Sequence, residues 1–278
     1  MTNLGKYKQM PPTLEKLIKL ERELEKEGYS LDRDLCFILQ TEYFAYDVTP
    51  YDVITFASIG SDGIHFGLLT DFGKVTHLEN AFVVCISPMD FGSHINIVAR
   101  NIKEFFSLVC TMKSPVAISN FGFINSEEQY TTLINEIKEE EKEHPEYTEK
   151  ADYIIDRLQT VLECDVIENV YDYVEKKVIS DRKEQTILST LDGLGIVPVN
   201  ESNVHHSIYR LEADSKINMD DIQSFFNNAT IESKLSFIRD AQFTYLISNE
   251  TDLKKFVIKE MLELGLYDEV ARLKRIDT

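Results

Sequence analysis

Asp52-Val53-Ile54-Thr55-Phe56-Ala57, followed by Gly60-Ser61-Asp62-Gly63 and then Ile64-His65-Phe66-Gly67-Leu68-Leu69, carries the clearest structural pattern in the chain. Two runs rich in β-branched and aromatic residues flank a turn in which glycine supplies positive φ, the pattern of a β-hairpin. A third run, 81–87, is continuously apolar and stops at Pro88, which reads as a central strand. Upstream, Leu35-Cys36-Phe37-Ile38-Leu39 is short, apolar and strand-like. Before it, Leu14, Leu17, Ile18 and Leu24 recur at helical spacing between Pro11-Pro12 and Gly28, the entry and exit of an amphipathic helix. Downstream, Val98, Ile102, Phe105, Phe106 and Val109 also fall at helical spacing and predict a helix over 95–109.

From Ser126 the character changes. Ser126-Glu127-Glu128-Gln129 matches a capping box, and the Glu- and Lys-dominated run 136–149 is broken by Pro145. Helical periods are expected around 153–162, 187–191, 221–226, 231–239, 251–264 and 267–275, and a short strand over 207–211 is an alternative. The expected fold class is α+β. An N-terminal antiparallel sheet with flanking helices fills residues 1–125, and a mostly α-helical domain fills 126–278, with the boundary near Asn125.

Composition narrows the function. The 278 residues carry Asp+Glu 48 against Lys+Arg 29, a net charge of −19. Such a surface repels phosphate backbones and anionic membranes and attracts a basic protein. The expected partner is therefore another protein, of basic character, with no nucleic acid and no membrane. Cys36, Cys85, Cys110 and Cys164 are widely spaced without a CxxC pair, so buried reduced thiols are expected. The opening Met1-Thr2-Asn3-Leu4-Gly5-Lys6 lacks the apolar run of a signal peptide, and no segment has 18 uninterrupted apolar residues, so the cytoplasm is the expected location.

Catalytic motifs are sparse. There is no GxSxG elbow, HExxH pair, GxGxxG after a strand, or GK[ST] ending at the Gly60–Gly63 turn. No cofactor is expected. An acid/base or metal site in a hydrolase would draw on Asp62, His65 and His94, with His77, Asp71 and Asp90 nearby in sequence. Against this, the glycines suit a plain hairpin, and the histidine spacings match no metal motif. His205-His206 are adjacent, which suits a loop better than a shared metal on a helix face.

The Ile54–Asp71 stretch, with its glycine-rich hairpin, is followed by a strand ending in proline and then by Ile97-Val98-Ala99-Arg100-Asn101-Ile102-Lys103-Glu104-Phe105-Phe106. That order resembles the SUKH superfamily, which includes yeast cell-wall-synthesis regulators and many bacterial immunity proteins. The resemblance covers roughly residues 10–120. It departs from the family pattern in having no Trp and no clear LPxxY element after the first helix. It implies a compact α+β domain without catalysis that binds protein, in bacteria often a toxin.

An interface in this part would lie at the hairpin end, with Asp62 and His65, and at Asp71-Phe72 and Asp90-Phe91. Each of those two loops sets an acid beside an aromatic, an anchor with a steering charge. The competing expectation is two ordinary turns with the phenylalanines tucked inward.

Overall fold

The computed structural model describes residues 4–143, 145–199, 204–211 and 217–276. The protein is α+β, with a five-stranded antiparallel sheet in its N-terminal half and a mostly helical C-terminal part. Its contacts divide it into two compact units. The first holds Met1–Phe44, Ile54–Thr70 and Val75–Asp181, and the second holds Ala45–Val53, Asp71–Lys74 and Arg182–Thr278.

The division differs from a single cut near Asn125. In the first unit, helices α1 (Pro12–Glu27) and α2 (Leu31–Leu35) precede the strands β1 (Ile38–Leu39), β2 (Val53–Ser58), β3 (His65–Leu69), β4 (Val83–Ile86) and β5 (Ile95–Ala99). Then come α3 (Ile102–Met112), α4 (Pro115–Ser119), α5 (Glu127–Glu143) and α6 (Pro145–Leu162). Helix α6 stays with the sheet because its buried Ile154, Ile155, Leu158 and Leu162 pack against α1 and α3. Tyr153 stacks on Tyr29 at 4.3 Å, and Arg157 bonds Glu27 at 2.7 Å and Glu23 at 3.0 Å.

The strands run in sequence order β1-β2-β3-β4-β5, a meander. All six residues of β2 are buried, so the sheet is covered on both faces there. Gly60, at φ 78°, admits the hairpin turn, and a Cβ there would meet Ile38 Cδ1 at 3.0 Å. Phe37, Phe56, Phe66, Phe105 and Phe106 form the aromatic centre of this core; the Phe66 and Phe105 rings lie 4.8 Å apart.

Three local expectations are corrected here. Residues 95–109 do not form one helix. Ile95–Ala99 pairs with β4, and the helix starts only after Asn101, whose side chain accepts from the Glu104 backbone N–H at 2.9 Å. The strand expected over 35–39 shrinks to Ile38–Leu39, because Leu31–Leu35 is helical and Cys36 takes φ 52°. Cys36 is exposed, whereas Cys85, Cys110 and Cys164 are buried.

The second unit contains α9 (Met219–Asn228), α10 (Ile231–Phe243), α11 (Leu246–Asn249), α12 (Thr251–Glu263) and α13 (Tyr267–Ile276). Upstream, α7 (Val170–Asp172) runs on through a π-type turn into α8 (Ile179–Gln185). The helix expected over 187–191 is instead a bridged turn, with Leu188 paired to Ile196. Thr190 Oγ1 accepts there from the Gly195 N–H at 2.7 Å. No strand forms over 207–211. The core gathers Ile222, Phe226, Phe237, Val257 and Met261 around α10, and it includes Tyr51 from the N-terminal half of the chain. Gln242 on α10 accepts from the Tyr51 N–H at 3.1 Å. Among the described residues no helix is long and apolar enough to cross a membrane.

Candidate partner-binding surface

The hairpin end separates its two candidates. Asp62 is exposed at the turn with φ 50°, while His65 lies fully buried on β3. The His65 Nδ1 is 2.7 Å from the Gly63 carbonyl, which can only accept, so Nδ1 carries the proton. Burial pushes the imidazole down to about 4, partly offset by that carbonyl. His65 is therefore a neutral core residue at neutral pH, packed edge-on against Phe44, and it does not face a partner.

His94 does not join it. His65 pairs with Ile86, and Ile86 with Ile95, so His94 falls one position off the row through His65, with β4 between them. His94 is itself buried, and its carbonyl accepts from the Ser87 N–H at 2.7 Å. Asp62, His65 and His94 thus present no common face to a substrate. Among the described residues no three His, Cys, Asp or Glu side chains are grouped to hold a metal ion.

Asp71 and Phe72 belong to the second unit and point inward. Asp71 receives both Arg182 Nη1 at 2.9 Å and Arg182 Nη2 at 2.7 Å, a buried bidentate pair. Arg182 also donates to the Leu194 carbonyl at 2.7 Å. Phe72 lies beneath the Arg239 guanidinium, 5.0 Å from ring to Cζ. Arg239 in turn donates to Asp52 at 2.6 Å and Asp192 at 3.2 Å. Burial raises the Asp52 carboxyl, and Arg239 opposes it. Burial also works against the charge on Arg239, yet Asp52, Asp192 and Asp71 hold it above its ordinary value. This is an interior charge network. His206 belongs to a non-helical segment, with Nδ1 2.8 Å from Thr230 Oγ1 at the start of α10.

Asp90-Phe91 is different. The β4–β5 connection is a tight turn in which the Ser93 N–H donates to the Asp90 carbonyl at 2.9 Å and Asp90 N–H to Ser87 at 3.0 Å. Asp90 is half-buried, but Phe91 is 80% exposed and Met89 is 64% exposed. Phe91 meets the His94 ring edge-on at 5.5 Å. Ser93 Oγ donates to the Gly122 carbonyl at 3.3 Å, joining this turn to the Asn120–Phe123 turn, where Phe123 is 52% exposed. The sequence pointed to Asp90 and Phe91 here but not to the exposed Met89 and Phe123. The signal for Met89 was its place beside Pro88 in a turn, where an apolar side chain has no sheet to cover it.

Compared with protein-family models and with curated proteins, the sequence matches none.

Proposed function

We propose that this protein is a noncatalytic binding protein that recognises a basic protein partner through the β4–β5 turn, in the manner of the SUKH immunity proteins that neutralise a toxin. The observation that carries the reading is Phe91, 80% exposed with Met89 64% exposed beside it, on a short turn fixed between two paired strands. Large apolar side chains held out in solvent cost solvation in the free protein and regain it on docking. Asp90 next to them and the net charge of −19 favour a cationic surface opposite.

Affinity capture from the native cell lysate at low salt tests it, with the Met89→Ala/Phe91→Ala variant in parallel. The expected result is one basic protein, retained by the native chain, released as salt rises and not retained by the variant. Capture of nothing, or equal retention by the variant, overturns the reading.

A further inference from the structure

The first unit contains a cleft of about 350 Å³ between α2, the α3–α4 turn, α5 and α6. That lies within the roughly 300–1,000 Å³ typical of ligand sites. Leu35, Val116 and Ile137 give it aliphatic walls, Tyr147 an aromatic one, and Glu140 and Asp152 two carboxylates. Asp34 also lines it, but its carboxylate is engaged by Arg33 at 2.7 Å and by the Ser30 N–H at 2.9 Å, with Lys150 at 4.0 Å. Lys113 Nζ, from the α3–α4 turn, sits 2.6 Å from Asp152 Oδ1, and both side chains are 44% exposed.

Two further features single out a cation. Among the charged residues that line the cleft, the acids Asp34, Glu140 and Asp152 stand against Lys113. Helix α5 also buries none of its described side chains: Leu133, Ile134 and Ile137 are only half-covered. An acidic, incompletely covered helix beside an apolar cavity accepts a cationic head on an aliphatic stem and repels an anion. Lys113 shows the cation's place, because an ammonium already occupies Asp152.

We propose that this cleft binds an arginine side chain presented by a basic polypeptide, with the guanidinium at Asp152 and Glu140 and the methylenes against Leu35, Val116 and Ile137. Arginine suits the site better than lysine, since its planar fork pairs with two carboxylates and stacks on tyrosine. The proposal rests on the basic partner of the preceding reading but uses a surface separate from the Phe91 turn.

Amide NMR titration of the full chain with the capped peptide acetyl-Gly-Arg-Gly-amide tests it, beside its uncharged citrulline counterpart and agmatine. Saturable shifts confined to residues lining the cleft are expected. Binding should weaken about tenfold or more for the citrulline peptide and for Glu140→Gln/Asp152→Asn, as loss of charge-assisted hydrogen bonds requires. Lys113→Gln should tighten binding several-fold by releasing Asp152, a gain that a damaged fold cannot produce. No saturable shift, or equal binding of the citrulline peptide, overturns the proposal. Tighter binding of agmatine than of the peptide overturns the polypeptide source. If cleft variants leave lysate capture intact while Met89→Ala/Phe91→Ala abolishes it, the cleft proposal falls and the binding-protein reading stands. If the arginine peptide binds saturably but capture is empty, the cleft's arginine chemistry stands and the Phe91 turn falls as the docking surface.

Discussion

Arg239 and Asp52 lie 187 residues apart in the chain and form a buried ion pair, Nη2 to Oδ2 at 2.6 Å. The same guanidinium serves Asp192 and covers the Phe72 ring, so one side chain on α10 ties two N-terminal excursions to the C-terminal helices of the second unit. Removing one member of such a pair leaves an uncompensated charge where water cannot reach it.

Arg239→Met is therefore expected to destabilise the second unit by about 3–5 kcal/mol, since Asp52 and Asp192 lose their shared cation. Adding Asp52→Asn to Arg239→Met should recover part of that loss, because the amide removes a buried charge. Urea unfolding of the two single variants and the double variant measures this. Equal losses that simply add would show that the residues do not act as a pair.

The hairpin, the α+β class and the helices around 153–162, 221–226, 231–239, 251–264 and 267–275 were legible in the sequence, since each carries its own periodicity or turn chemistry. The strand Ile95–Ala99 was not. Val98 and Ile102 are four apart and join a strand residue to a helix residue in apparent helical phase, and only the Asn101 cap separates them. The partition of the chain was hidden for another reason. Asp71 looked like a surface acid beside an aromatic, and its partner Arg182 lies 111 positions away, beyond any local pattern. Phe72 and Phe91 read alike in sequence, each after an aspartate and before a glycine, yet one lies under a guanidinium and the other in solvent.

His65 makes the first unit acid-sensitive. Its folded value, lowered to about 4 by burial, is below the ordinary 6.5 of the unfolded chain. The unfolded state therefore binds more protons between those values, and stability falls as pH drops from 6.5 towards 4. The loss reaches up to about 3 kcal/mol. His65→Gln, which retains a donor for the Gly63 carbonyl, should flatten the unfolding free energy in that window. An unchanged slope in the variant would remove His65 as the cause.

Asp240 acts in the opposite sense in the second unit. Burial raises its carboxyl to about 6, with the Leu191 N–H at 2.7 Å pulling it back. Here the folded state binds the proton more tightly, so stability falls as pH rises from about 4 through 6, and the cost is fully present above it. Asp240→Asn keeps an oxygen acceptor for Leu191 and should stabilise the protein at pH 8 by about 1 kcal/mol after allowance for solvent screening. At pH 4 the gain should vanish. Chemical denaturation at both pH values reads the difference, and an equal gain at each would point to packing instead.

Cysteine reactivity separates the four thiols. Cys36 is exposed at the end of α2 with φ 52°, while Cys85 is buried and its thiol pushed up to about 12 by that burial. A thiol reacts as its thiolate and needs access to the reagent, so Cys85 fails on both counts. Cys110 and Cys164 are both buried, and their interaction raises the Cys110 thiol and lowers the Cys164 thiol. The native protein is therefore expected to titrate one fast thiol with a disulfide reagent at pH 8, and four after denaturation. Cys36→Ser should abolish the fast phase and leave the folded spectrum unchanged. A fast phase that survives this substitution would place the reactive thiol at Cys164, whose value the Cys110 contact lowers.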